Sequence, residues 1–453
     1  MSHANCLLSI ESATSAIALT HYLVALGYTT ERSCPSEITL VPNNAIMVIK
    51  CESERFEREL ILEDALAKEI TFHLLALNLC CGFSCVAIAI SVWHIFQHAL
   101  HYLRPYEQKY IIRILAIIPI NAFTSFLGYV FYRNSVYWEL VRGCYEAYAI
   151  ASFFTLLCHY VAPTLHEQKA YLRNVRPKNW AWPLNWLQKL TGGEDKGCLR
   201  KPRSGLTWFN IIYVGVYQYC IVRLLFTIVA VISQSQGKYC QSSKHPQFAS
   251  LWVSGFEGIS VTIAMYCLVQ FYIQLKEDLG EHRPFLKILS IKLVIFLCFW
   301  QNFLIALLTT ENGPLKPNKL VAGPDLRIGI PCILTCVEMA FFALLHRRAF
   351  PWKPYDITSL ARHPKQYYAC GPNEAILEAI YPWDYAKAAA RGVRWLVHGV
   401  RFRKDDPSYQ SEPLPERDKN STKKPLFKIR TETRSDSGRT GSKNRKDKKR
   451  KTA

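Results

Sequence analysis

Seven long apolar runs decide what this chain can become. They cover about residues 71–93, 110–132, 141–162, 206–232, 248–275, 286–309 and 328–346, with charged residues gathered between them. A hydrocarbon core about 30 Å thick needs roughly 20 apolar residues in a helix rising about 1.5 Å each, and every run meets that length. Backbone polar groups in lipid must be satisfied within the segment, so such runs are helices. A membrane barrel would show short alternating strands. The expected fold class is all-α: a polytopic membrane protein with a seven-helix transmembrane bundle over residues 71–350.

Composition alone hides this, because 453 residues with 20% charged side chains also describe a soluble protein. The net charge of +20 sits mainly in connections and tail. That pattern speaks for orientation and anionic lipid rather than nucleic acid. The 163–205 connection carries Lys169, Arg173, Arg176, Lys178, Lys189, Lys196, Arg200, Lys201 and Arg203, and the tail opens with His346, Arg347 and Arg348. Connections 133–140, 233–247 and 310–327 are shorter or poorer in charge. The positive-inside rule then places the N-terminus outside and the C-terminus in the cytoplasm.

Residues 1–70 are read as a non-cytoplasmic segment. Its stretch from Cys6 to Tyr28 fits a weak signal sequence, an extra span or an ordinary luminal segment, without the basic start of a clean signal peptide. Most of the sixteen cysteines lie inside apolar runs and behave as small hydrophobic residues. Cys6, Cys34, Cys51 and Cys240 fall on the expected outer side, where a disulfide can form. Residues 351–407 are read as a juxtamembrane segment, with an amphipathic helix over 373–400 broken at Pro382 and lying on the inner leaflet. Residues 408–453 have the composition of a disordered basic tail. The Asn420 sequon, placed in the cytoplasm, should stay unglycosylated.

Ionisable side chains inside spans are costly and need a partner, a cavity or a role. Glu146, Arg223, Glu257, Lys292 and Glu338 are such residues, with the amides Gln301 and Asn302. Depth along the spans lets Arg223 meet Glu146 or Glu257, and Lys292 approach Glu338. These groups either pair between helices or line a solute path. His94, His98 and His101 share one helical face at the end of the first run and are read as interfacial polar residues. A metal site would need further histidine clusters. The sequence calls for no metal and no cofactor, and no phosphate loop or nucleophile motif marks an enzyme.

Four passages in order carry a resemblance: HALHYLRPYEQKYIIRILAIIPI (98–120), RGCYEAYAI (142–150), SIKLVIFLCFWQNFLIALL (290–308) and CVEMAFFALLHRRAF (336–350). Together they resemble the organic solute transporter alpha and transmembrane protein 184 family, and the aromatic tail is similar to its fungal members. The matching positions are His98, Tyr102, Arg104, Pro105, Glu107, Gln108, Arg113, Tyr145, Glu146, Lys292, Trp300, Gln301 and Glu338. The resemblance implies seven spans with the C-terminus inside, and movement or sensing of amphipathic organic solutes. Some members work with a small single-span partner, and some branches are linked to endosomal or vacuolar membranes. Members often carry a cysteine cluster before the fourth span that serves acylation; here Cys198 stands alone.

The expected function is a facilitative carrier of amphipathic, anionic organic solutes such as sterol or lipid derivatives. The alternative is a non-transporting receptor or signalling scaffold of the endomembrane system. Expected partners are membrane lipids, the solute, and either further copies of the chain or a small single-span subunit. The membrane, vacuolar or endosomal versus plasma, is left open.

Overall fold

The computed structural model of the chain describes residues 61, 63–65, 70–193, 201–202, 204–240, 246–277, 284–309, 314–356 and 371–399. The readings for Cys6 to Tyr28, Cys198 and the tail beyond residue 407 lie outside these residues. Every described regular element is a helix, and one occupies each of the seven predicted runs. Five are long and apolar enough to cross a membrane, or six when a pair bent by 72° counts as one span.

The first helix, α1 (Phe72–Leu100), starts where the Thr71 side chain accepts from the N–H of Leu74. It ends two turns beyond the predicted limit. The second run forms α2 (Pro105–Leu115) and α3 (Ile117–Val130), which meet at Ala116. Pro119 explains the break, since it has no N–H to give the carbonyl of Leu115 four residues back. Next come α4 (Ser135–Val161) and α5 (Leu165–Asn174), the bent pair; Thr164 and Glu167 cap the start of α5 reciprocally. A short α6 (Leu184–Leu190) precedes α7 (Gly205–Ser235), α8 (Ala249–Leu275) and α9 (Pro284–Leu308). A π-turn at Asp325–Gly329 feeds α10 (Ile330–Ala349). The tail adds α11 (Pro372–Ile380) and α12 (Trp383–Arg394), separated at Pro382 as the sequence predicts.

Packing runs from α8 to α7, α4, α2 and α3, α1, α10 and α9. The largest core cluster joins α2, α4, α7 and α8 through Phe154, Trp208 and Phe271. A second joins α1, α3 and α10 around Ile117, Ile118 and Phe342. The free cysteines Cys80, Cys158, Cys220, Cys267, Cys298 and Cys336 are buried among these apolar side chains.

Polar side chains finish the two ends of the bundle. At one end Gln274 accepts from the N–H of Lys178 and donates to the carbonyl of Arg176, while Gln270 does the same for Ala181 and Asn179. The basic connection thus lies where α8 ends, and the tail helices lie at this same end against α1, α2 and α7. At the opposite end Asp325, 1% exposed, accepts from Tyr129 at 2.7 Å and lies 3.0 Å from Nδ1 of His73. Glu63 accepts there from the N–H groups of His73 and Ala322. Cys240, beyond the end of α7, is disulfide-bonded, and its partner lies outside the described residues.

One expectation needs correction. His94 and His98 are not exposed polar residues at the end of α1. Because α1 runs on to Leu100, both are buried, and both donate through Nε2 to the carbonyl of Phe350, at 2.8 and 3.0 Å. They cap the end of α10, whose last carbonyls lack helical partners. His101 instead stacks on Trp352. Among the described residues no group of three His, Cys, Asp or Glu side chains is placed to hold a metal. The two tail helices turn small residues (Ala375, Ala379, Ala388, Gly392) onto the protein, while Leu377, Ile380, Trp383 and Val393 are exposed. Small side chains let helices approach closely.

Candidate functional site

The motif at 98–113 builds the floor on which the tail rests. Gln108, fully buried in α2, accepts from the N–H groups of Leu103 and Arg104 and donates to the carbonyls of His101 and His98. One amide therefore satisfies backbone groups that both helix ends leave open at the α1–α2 corner. Pro105 opens α2, and Glu107 accepts from the Tyr355 hydroxyl at 2.9 Å and pairs with Arg104. Tyr102 donates to Glu378 on α11. Arg113 donates to the carbonyls of Ala379 and Tyr381, at 2.7 and 2.8 Å, where α11 gives way to α12. Tyr145 holds the backbone of Arg113 from α4.

Above this floor, α12 covers a cavity of about 690 Å³ between α2, α4 and α7. That size suits a small organic ligand. Its walls are aromatic: Tyr110 from α2, Phe154 from α4, Phe209, Tyr213 and Tyr217 from α7, and Tyr385 from α12. Tyr213 and Tyr217 stack at 4.5 Å, and Tyr385 packs edge-on to Tyr148. Its charge is cationic, from Lys109, Arg113, Lys387, Arg391 and Arg394, against the single carboxylate of Asp384. Lys109 donates to Asp384 at 2.7 Å. Burial pushes the Asp384 carboxyl up, but the Lys109 ammonium, with Arg113 and Lys387, outweighs it and holds the group below its ordinary value of 3.8.

From the cavity a polar seam follows α4 and α7 toward the opposite end. Tyr213, Tyr217, Cys220 and Arg223 recur on one face of α7 at helical spacing. Tyr217 bonds Thr155 at 2.8 Å, and the Cys220 thiol donates to the carbonyl of Ala147. One turn on, Arg223 forms a tight ion pair with Glu257 of α8, and its guanidinium fills the space beside Gly143. Glu146 accepts from Asn121 and lies 3.9 Å from Arg142, which also reaches Glu139 and Ser125. Arg223 therefore takes one of its two expected partners.

The remaining predicted residues stand apart from the cavity. Lys292 is exposed and makes no ion pair with Glu338 among the described residues. Glu338 is half-buried in α10 with Oε2 unpartnered there. Gln301 donates to Thr335, joining α9 to α10, and Asn302 beside it is half-buried. Trp300 is exposed and packs on Phe296. Sequence reasoning missed Arg142, Lys109 and the tyrosine wall. Arg142 stood at the edge of a run predicted to begin at residue 141, whereas α4 begins at Ser135. The spacing of Tyr213, Tyr217 and Cys220 was visible, but reads equally as core.

Comparison with known proteins decides the family. The model of the organic solute transporter Ostalpha family matches residues 76–355, which takes in all seven bundle segments and the tail-docking motif. The chain belongs to this family. Among its relatives is a transmembrane protein 184 homolog of Dictyostelium discoideum, 31% identical over 292 residues, or 64% of this chain. The chain spans about half, 55%, of that relative's length. No solved structure matches the chain. The match closes at Tyr355, so the α12 side of the cavity lies beyond the part the family model covers.

Proposed function

We propose that the chain is a facilitative carrier of amphipathic organic anions, sterol or lipid derivatives among them, and that the α12-covered cavity is where the solute binds on the cytoplasmic side. The observation that carries this reading is the cavity itself: about 690 Å³, walled by tyrosine and phenylalanine, with five cationic side chains and one carboxylate. An aromatic wall takes a flat apolar body, and clustered cations offset an anionic headgroup. The α4–α7 seam supplies polar groups from there to Arg223, so a solute leaving the cavity meets a second cation deep in the bundle. Membership in a family described as organic solute transporters supports the same direction.

The carrier reading takes seven crossings, N-terminus outside and C-terminus inside. The disulfide-bonded Cys240 supports placing the 233–247 connection in an oxidising compartment. The basic 163–205 connection and the tail share the other end of the bundle, as cytoplasmic segments would. A receptor or scaffold remains the second reading, favoured by the tail being held to the bundle through Tyr102 and Arg113.

Purified full-length protein in liposomes tests the carrier directly. Uptake of a radiolabelled steroid sulfate should exceed that of empty liposomes, and Lys387→Glu with Arg391→Glu should cut it about tenfold or more, equal to about 1.4 kcal/mol. Absence of flux across a broad panel of sulfated and carboxylated amphipaths would sink the proposal.

A further inference from the structure

We propose that Asp384 is a built-in competitor at the cavity: its carboxylate occupies the Lys109 ammonium that an entering organic anion takes, so loading the cavity releases the first turn of α12. This rests on reading the cavity as an organic-anion site.

Three observations converge on that pair. Asp384 is the one carboxylate among the cavity's lining side chains. Of the two lining cations that face α12 from the bundle, Lys109 is the one not spent on backbone: Arg113 is committed to the carbonyls of Ala379 and Tyr381, whereas Lys387, Arg391 and Arg394 belong to α12 itself. Lys109 is held by two acids of the tail, at 2.7 Å from Asp384 of α12 and 3.7 Å from Glu378 of α11.

The lid's attachment makes the exchange consequential. Arg113 fixes the α11–α12 junction just before Asp384, and farther along the Tyr213 hydroxyl donates to the carbonyl of Ala388 at 2.8 Å. Between those two points the Asp384–Lys109 pair is the ionic tie of the first turn. The Asp384 side chain is 42% exposed, and half-exposed ion pairs are weak. An anion whose apolar body also covers Tyr213, Tyr217 and Phe154 therefore wins Lys109, whereas a small inorganic anion does not. Because Lys109 and its neighbours hold the Asp384 carboxyl below its ordinary range, it is ionised at cytoplasmic pH, and the competition is charge for charge.

Equilibrium binding of a tritiated steroid sulfate to the full chain in nanodiscs tests this, with the uncharged parent steroid as control. Asp384→Asn should tighten binding of the sulfate about threefold to fivefold, the scale of a weak ion pair. Lys109→Gln should weaken it, and Asp384→Asn should have no effect in the Lys109→Gln background. The uncharged steroid should bind wild type and Asp384→Asn alike, whereas a merely loosened lid would shift both ligands. Asp384→Ser repeats the measurement should the amide disturb the turn. Sulfate binding that is unchanged or weaker in both Asp384 variants, with wild type still binding, overturns the competitor and leaves the anion site standing. No sulfate binding by wild type or any variant overturns the site and the competitor together.

Discussion

Arg223 on α7 and Glu257 on α8 form an ion pair within the apolar body of the bundle, with side chains only 14% and 13% exposed. Charges taken out of water must be compensated where they sit, so losing one partner costs more than losing both. Glu257→Gln should lower stability by about 3 kcal/mol or more, and Arg223→Met combined with Glu257→Gln should recover most of that loss. Thermal unfolding of the detergent-solubilised variants measures the difference. A loss in the double variant equal to the sum of the Glu257→Gln and Arg223→Met single losses would show that the pair is not coupled.

Gly143 makes that pair possible from a third helix. A β-carbon at 143 would overlap the Arg223 guanidinium, so Gly143→Ala must displace it. The expected loss is about 1–3 kcal/mol, as for overpacking elsewhere. In an Arg223→Met background the extra carbon has more room, and the loss should shrink. A double-mutant cycle on melting temperature reads this coupling.

Gln108 is the buried amide that ties the corner between α1 and α2 together. Gln108→Ala removes the acceptor of the Arg104 N–H and leaves the Leu103 N–H and the His101 carbonyl with only the bond between them. A buried group left unsatisfied costs about 1–3 kcal/mol. Destabilisation of at least about 2 kcal/mol is expected, with faster hydrogen exchange at Leu103 and Arg104 before any change in the 322–329 turn.

At the opposite end, acidification should tighten the contact between Glu63 and the α10 entry. Burial, together with the neighbouring Asp325 carboxylate, raises Glu63 above its ordinary value of 4.5, against the two N–H groups that it accepts from. The folded state then holds the proton more firmly than the unfolded state, so this contribution is largest at low pH. It is lost as pH rises from 4.5 through the raised value. The groups facing Glu63 are His73 of α1, Tyr129 of α3 and Asp325. Protection factors at His73 and Ala322, which divide out the intrinsic pH dependence of exchange, should rise as pH falls through the raised value, and Glu63→Gln should flatten that rise. A Glu63→Gln profile identical to wild type would locate the pH response elsewhere.

Much of this was legible in residue order. The seven runs each became helical because length and apolarity are local properties. Pro382 split the tail helix where predicted, since a proline's missing N–H acts on its own turn. Arg223 found Glu257 because residues at matching depth on adjacent helices had few other choices. Lys292 and Glu338 sit on helices equally easy to read, yet do not pair. Which faces of α9 and α10 meet depends on rotation about each helix axis, and hydropathy carries no information about rotation when nearly every side chain is apolar.

The sequence by itself determined that the chain is a set of membrane-length helices with basic connections, because hydrocarbon imposes one solution on an apolar backbone. Only the tertiary structure decided that α12 folds back over α2, α4 and α7, that the motif at 98–113 docks the tail, and that Asp384 lies on Lys109. These contacts join residues some 270 positions apart. They rest on hydrogen bonds and small-residue packing whose partners are chosen by proximity in space, which no local pattern encodes.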